Sequence, residues 1–133
     1  MIACEVELLD IQQQIEYWRS SSGEDFSAAV SLAAQHPRHA LFFAHLALEK
    51  ALKAQVTRVT TDVSPRIHDL LRLAEPGAVV LSAERRAFLA RFQQFRLAGR
   101  YPDLQRGRLD AAGVAAELAQ AREVLTWLLT QLP

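Results

Sequence analysis

The chain has 133 residues, half of them hydrophobic, with 15 basic and 15 acidic side chains and a formal net charge of zero. That is one domain's worth of chain, with enough apolar material to fill a core. The neutral balance excludes a global pull toward nucleic acid or an anionic membrane, and a single cysteine, Cys4, excludes an intrachain disulfide framework or a thiolate metal cage.

The neutrality hides an asymmetry. From Met1 to Asp25 six acids (Glu5, Glu7, Asp10, Glu16, Glu24 and Asp25) stand against one base, Arg19. From Ser82 to Arg108 seven arginines (Arg85, Arg86, Arg91, Arg96, Arg100, Arg106 and Arg108) stand against Glu84 and Asp103. Two readings of the second cluster stay open: solvated helix faces, or a local anion site. The N-terminus carries acids where a signal peptide needs a basic region, and no apolar run approaches the roughly 20 residues of a spanning helix. The expected location is the cytoplasm, with no membrane association.

Ala and Leu are abundant and no Val/Ile/Thr run alternates with period two, so the expected elements are helices. The first helix is expected from about Val6 to Ala34, on a stripe of Ile11, Ile15, Trp18, Phe26, Ala29, Val30 and Ala33. Ser20, Ser21, Ser22 and Gly23 interrupt it and predict a kink or a split. The second helix starts near Pro37, a favoured first-turn residue, and ends near Thr60. Leu41, Leu48, Leu52 and Val56 lie on one side of it, with Phe42, His45, Leu46 and Glu49 adjoining. It is apolar over a wide arc and is expected to be the most buried.

Ser64-Pro65 is expected to open a short third helix, Arg66 to about Ala74, closed by Pro76-Gly77. Ser82 is a good N-cap for a fourth, with Phe88, Leu89, Phe92 and Phe95 on its apolar side. Gly99 and Pro102 end or bend that helix. A loop through Gly107 leads to the last helix, about Ala111 to Leu132, with Val114, Leu118, Ala121, Leu125 and Leu128 as its stripe and Trp127 beside it. The expected fold is all-α: a single domain, an antiparallel up-and-down four-helix bundle with an additional short helix.

Three segments carry candidate chemistry. In His39–Ala54, Lys50 and Lys53 share a helix face, and Glu49 pairs most naturally with Lys53 four residues on. The face is either a solvated salt-bridging surface or a phosphate-facing pair of ammoniums. In Pro65–Leu71, His68-Asp69 offers an acid or base beside a carboxylate. Adjacent residues do not face each other on a helix, so Asp69 is not expected to orient His68; the alternative role is to tie the helix start to the bundle. In Phe95–Asp103, Arg96 and Arg100 lie four apart at a helix end. Two guanidiniums there can bind a phosphate, with Tyr101 stacking on a base; equally, Asp103 and helix carbonyls can neutralise them. No metal is expected: His36 and His39 straddle Pro37, His45 sits on another turn, and no further ligand completes a set. No Gly-rich phosphate loop, nucleophile elbow or dinucleotide fingerprint is present, and no cofactor is expected.

Taken together, His39-Ala-Leu-Phe-Phe with Leu46-Ala-Leu-Glu49-Lys50-Ala-Leu-Lys53-Ala, Arg66-Ile-His68-Asp69-Leu-Leu, and Arg100-Tyr101-Pro102-Asp103 resemble, in order and spacing, the signatures of the HEPN domain family over about Tyr17 to Asp103. The resemblance implies an up-and-down helical bundle, commonly a homodimer, and a minimal nucleotidyltransferase as partner in a toxin–antitoxin-like pair. It also implies a metal-independent ribonuclease in many members, built on an Arg followed after four to six residues by a His. No His follows Arg96 or Arg100 at that distance. Arg38 and His45 have the spacing, but on the second helix, where it is read as coincidence. The favoured expectation is therefore a HEPN protein binding nucleotide or RNA phosphate through Lys50, Lys53, His68, Asp69, Arg96, Arg100, Tyr101 and Asp103. The alternatives are a ribonuclease with a rearranged histidine, for which His68 and Arg100 are the catalytic candidates, and a non-catalytic dimeric adaptor.

Overall fold

The computed structural model describes residues 2–96 and 109–133, with side chains from Asp10 onward. Among them every regular element is helical: α1 (Ile2–Leu32), α2 (Pro37–Thr60), α3 (Leu70–Ala74), α4 (Ala83–Phe92), a 3-10 turn (Gln93–Arg96) and α5 (Ala111–Thr130). The expected all-α class holds. No helix among the described residues is long and apolar enough to cross a membrane.

The tightest helix pairing in the fold follows from alanine. Ala40, Ala44, Ala47, Ala51 and Ala54 recur on α2 at alternating steps of four and three, and each is fully buried. A methyl-only stripe with that period lets a second helix approach closely along its whole length. α1 fills the approach with Ile15, Ser22, Phe26 and Ala29, all buried. The two helices run antiparallel: Trp18 meets Lys53, while Ser21 and Asp25 meet Lys50.

The break expected at Ser20–Gly23 does not occur, and α1 is continuous. The Ser22 hydroxyl donates to the Arg19 carbonyl at 2.7 Å, so burial leaves it satisfied within its own helix. Gly23 faces open space, where its cost is only intrinsic propensity, about 1 kcal/mol, spread over a 31-residue helix.

The opposite side of α2 carries Leu41, Leu48, Leu52 and Val56 into the main core with Leu70, Leu73, Phe88, Leu89, Phe92, Phe95 and the α5 stripe Val114, Leu118, Ala121, Leu125 and Leu128. Fully burying each Leu or Phe contributes about 1.5–3 kcal/mol. α2 is thus packed on both sides and forms the centre of the fold, as its wide apolar arc predicted. α4 lies antiparallel to α5, with the Arg85 guanidinium 3.9 Å from the Trp127 ring centre and Arg91 bonded to Glu117 and Gln120.

The start of the third helix and the end of the fourth differ from expectation. The third helix begins at Leu70 rather than Arg66, and its cap is Asp69, not Ser64. Ser64 is engaged elsewhere: its hydroxyl bonds the Lys53 carbonyl at 2.7 Å and the Thr57 hydroxyl at 2.9 Å, pinning the loop to α2. The fourth helix does start after Ser82, which accepts from the Arg85 amide at 3.2 Å, but it tightens into the 3-10 turn after Phe92. α5 is capped by Asp110, whose carboxylate accepts from the Gly113 amide at 2.7 Å.

Candidate functional site

His45, Glu49 and Lys53 stand at successive four-residue steps on α2, so they form one column. On a solvated helix such a column is ordinary chemistry. Here Glu49 is only 4% exposed and Lys53 11%, so the charges sit inside the protein. Buried charges persist only when paired. One Glu49 oxygen, Oε2, receives both the Lys53 ammonium at 3.2 Å and His68 Nδ1 at 3.1 Å. The other, Oε1, lies 3.9 Å from His45 Nδ1, beyond hydrogen-bond reach. Lys53 also lies 5.4 Å from the Trp18 ring centre, which adds a cation–π contact on its far side.

His68 is the outward-facing member. Its side chain is 48% exposed while Nδ1 is tied to the buried carboxylate. An ionised carboxylate accepts only, so Nδ1 carries the proton, and a neutral His68 then has its lone pair on Nε2. The backbone around it is fixed from two sides. Asp69 accepts from the Leu71 and Arg72 amides at 3.0 and 3.1 Å. The Gln93 side-chain oxygen in the 3-10 turn accepts from the Leu70 amide at 2.9 Å. Asp69 therefore ties down the helix start, and the residue that orients His68 is Glu49. Asp69→Ala is expected to lower stability by about 1 kcal/mol, the usual loss of an N-cap, read by urea unfolding; no measurable change would mean that Gln93 alone holds α3.

His45 is buried, and Nε2 has no hydrogen-bond partner among the described residues. Burial, the largest influence, pushes its pKa down to about 4; Glu49 opposes this, while Arg96 adds to the lowering. His45 is therefore neutral at pH 7. The Arg96 guanidinium, half-buried at the end of the 3-10 turn, lies within electrostatic range of the column. The segment carrying Arg96 is the one that Gln93 fastens to the base of α3.

The structure thus brings together His68, Asp69, Lys53 and Arg96 around Glu49 and His45. Lys50 is outside this group: its ammonium lies 2.7 Å from Asp25 and 2.7 Å from the Ser21 hydroxyl of α1. Lys50 and Lys53 each face a carboxylate of the chain itself. Arg100, Tyr101 and Asp103 lie outside the described residues. The chemistry that motif reading missed is the Glu49 hub and the Gln93 tie. The hub had a signal: three polar residues at four-residue spacing on a helix otherwise apolar around most of its surface.

No curated protein and no solved structure gives a match to the chain. The family model of the HEPN domain matches residues 15–131. That span contains α2, α3, α4, α5 and all of the polar column, which is to say nearly the whole molecule. The chain belongs to the HEPN domain family.

Proposed function

We propose that this HEPN protein binds the phosphate of a nucleotide or RNA beside Arg96 and His68, and acts in the cytoplasm as the helical partner of a minimal nucleotidyltransferase in a toxin–antitoxin-like pair. The single observation that carries the reading is the half-exposed His68 imidazole held by a buried carboxylate, with the Arg96 guanidinium on the adjoining turn. A planar guanidinium and an oriented imidazole are suited to phosphate oxygens. Lys53 sets the charge of the hub, and Asp69 the backbone on which His68 stands. Arg100, Tyr101 and Asp103 extend the same site in this reading, through a second guanidinium and a ring for base stacking. The antiparallel up-and-down bundle of four long helices with one short helix, and its homodimer, complete the proposal. A dimer would set two such sites in one assembly.

Titration of ATP and of a short RNA against the wild type, Arg96→Ala and His68→Ala tests the site. Each substitution is expected to weaken binding about tenfold or more, the loss of one charge-assisted hydrogen bond. Equal affinity across the three proteins, or no binding by any, defeats the phosphate site. A minimal nucleotidyltransferase reading frame beside this one, and co-purification of the two proteins, would support the pairing; no such neighbour, or no co-purification, defeats it.

A second reading, a metal-independent ribonuclease, is favoured by the same Glu49–His68 contact. Nε2 of a neutral His68 would take the proton of a ribose 2′-hydroxyl as its oxygen attacks the phosphorus and the 5′-oxygen leaves. Growth arrest on expression that disappears with His68→Ala supports cleavage; harmless expression supports binding alone.

A further inference from the structure

A second feature lies on the outer side of α1, where the inner-wall ring, Trp18, is shared with the Glu49 hub through Lys53. Asp10, Gln13, Gln14, Tyr17 and Trp18 line an open hollow of about 230 Å3. These positions recur at helical spacing, so one stretch of α1 builds the whole lining. Tyr17 is 60% exposed, unusual for so large a ring, and stands edge-on to Trp18 with ring centres 5.2 Å apart. Trp18 forms the partly buried inner wall, resting on Ile15, Ala54 and Leu132. The surrounding segment is the acidic one. Glu16 is answered by Arg19 and Asp25 by Lys50, whereas Asp10 has no basic partner among the described residues.

Two aromatic rings, two carboxamides and an unanswered carboxylate make a specific chemical combination. A nucleobase would stack here, but its phosphate would enter a stretch holding six acids against one base. A second copy of α1 meets the same repulsion. A lysine ammonium satisfies the carboxylate but has no plane to lay on the rings. A guanidinium satisfies all three features: it stacks on one ring with its edge toward the other, forks onto a carboxylate and has donors left for amide oxygens. We propose that this hollow is a receptor for an arginine side chain presented by a basic segment of a protein partner. Arginine is enriched among the few residues that dominate interfaces, and Tyr17 and Trp18 supply the matching anchor. Arginine capture here does not require phosphate binding at Arg96 and His68, although Trp18 also contacts Lys53 of the hub.

The indole N–H resonance of Trp18 reads the hollow directly, and that of Trp127, the other tryptophan of the chain, is an internal control. The probe is the capped peptide Gly-Arg-Gly-Arg-Gly, with Gly-Lys-Gly-Lys-Gly as its counterpart. The expected result is a saturable shift of Trp18 alone, with the lysine peptide weaker by about tenfold. Tyr17→Ser and Asp10→Asn are each expected to weaken the arginine peptide by about fivefold or more, and Tyr17→Phe to leave it near wild type. Both side chains are on the surface, so these substitutions keep the fold. A Trp18 resonance that does not saturate, equal affinity for the two peptides, or unchanged affinity in Tyr17→Ser and Asp10→Asn overturns the proposal. So does a saturable Trp18 shift by a uridine oligonucleotide.

Discussion

Glu49→Ala is expected to lower the unfolding free energy by about 3 kcal/mol, the low end of the cost of breaking a buried ion pair. Among the described residues, Glu49 is the only carboxylate within 4 Å of Lys53 and of both histidines. Without it the Lys53 ammonium keeps its burial and loses its counter-charge, and His68 Nδ1 loses its acceptor. Lys53 retains a little exposure and a Trp18 face, which places the loss at the low end of the range. Glu49→Gln, which keeps the acceptor and removes the charge, is expected to fall between wild type and Glu49→Ala. The double substitution Glu49→Leu/Lys53→Met removes both charges and keeps the volume, and is expected to return close to wild-type stability. It would still leave His68 without its holder. Stability and site are thereby separable: urea unfolding reports the first, and the NMR tautomer signature of the His68 ring nitrogens reports the second. If Glu49→Ala loses less than about 1 kcal/mol, a value typical of exposed pairs, the hub is solvated and the argument from burial fails.

That hub also marks where sequence reading stops. The i,i+4 pairing of Glu49 with Lys53 is visible from spacing alone, because helix geometry is local. Whether the pair faces water or the interior is a tertiary fact, decided here by α1 and by the loop before α3. The partner of His68 is 19 residues upstream, and no local rule reaches it. The reverse holds for Asp69. The expectation that Asp69 does not orient His68 holds, but not through helix geometry, since both residues precede α3; the type of Asp69 is that of an N-cap. Ser64 was the competing cap by composition; it lost because Lys53 and Thr57 of α2 offer its hydroxyl two partners. Leu41, Leu48, Leu52 and Val56 announced the core side of α2. The alanines at 40, 44, 47, 51 and 54 announced the α1 side just as plainly, but alanine reads as propensity rather than as a packing stripe unless its period is counted. Ser20–Gly23 misled for a related reason: a residue that disfavours a helix in isolation is harmless once its hydroxyl bonds within the turn and its neighbour faces water.

Acid is the second perturbation with a large expected effect, and its origin is His45 rather than a carboxylate. In the folded chain the His45 pKa is pushed down to about 4, against 6.5 for the free side chain, chiefly because burial disfavours the imidazolium. The groups facing it are Glu49 on its own helix, Arg96 from the 3-10 turn, and His68 and Asp69 at the start of α3; Glu49 and Asp69 favour the charged ring, whereas Arg96 and His68 disfavour it. Above pH 6.5 the ring is neutral in both the folded and the unfolded chain, and its contribution is fully present. Between 6.5 and 4 the unfolded chain binds the proton first, so stability falls as pH falls, by roughly 3 kcal/mol across that window. Below about 4 the folded ring protonates as well and the slope from this group ends. Other acids titrate nearby, so the useful quantity is a difference. His45→Gln keeps a polar side chain of similar length without the titration. Urea unfolding of wild type and His45→Gln at about pH 7.5 and about pH 4.5 isolates it. On acidification the wild type should lose more stability than His45→Gln does, by roughly 2 kcal/mol or more. Parallel losses would mean that His45 takes up its proton while folded, either because water reaches Nε2 or because the Glu49 carboxylate outweighs burial. In either case the neutral imidazole of His45 would have to be replaced by an imidazolium, and the charge of the whole column recounted.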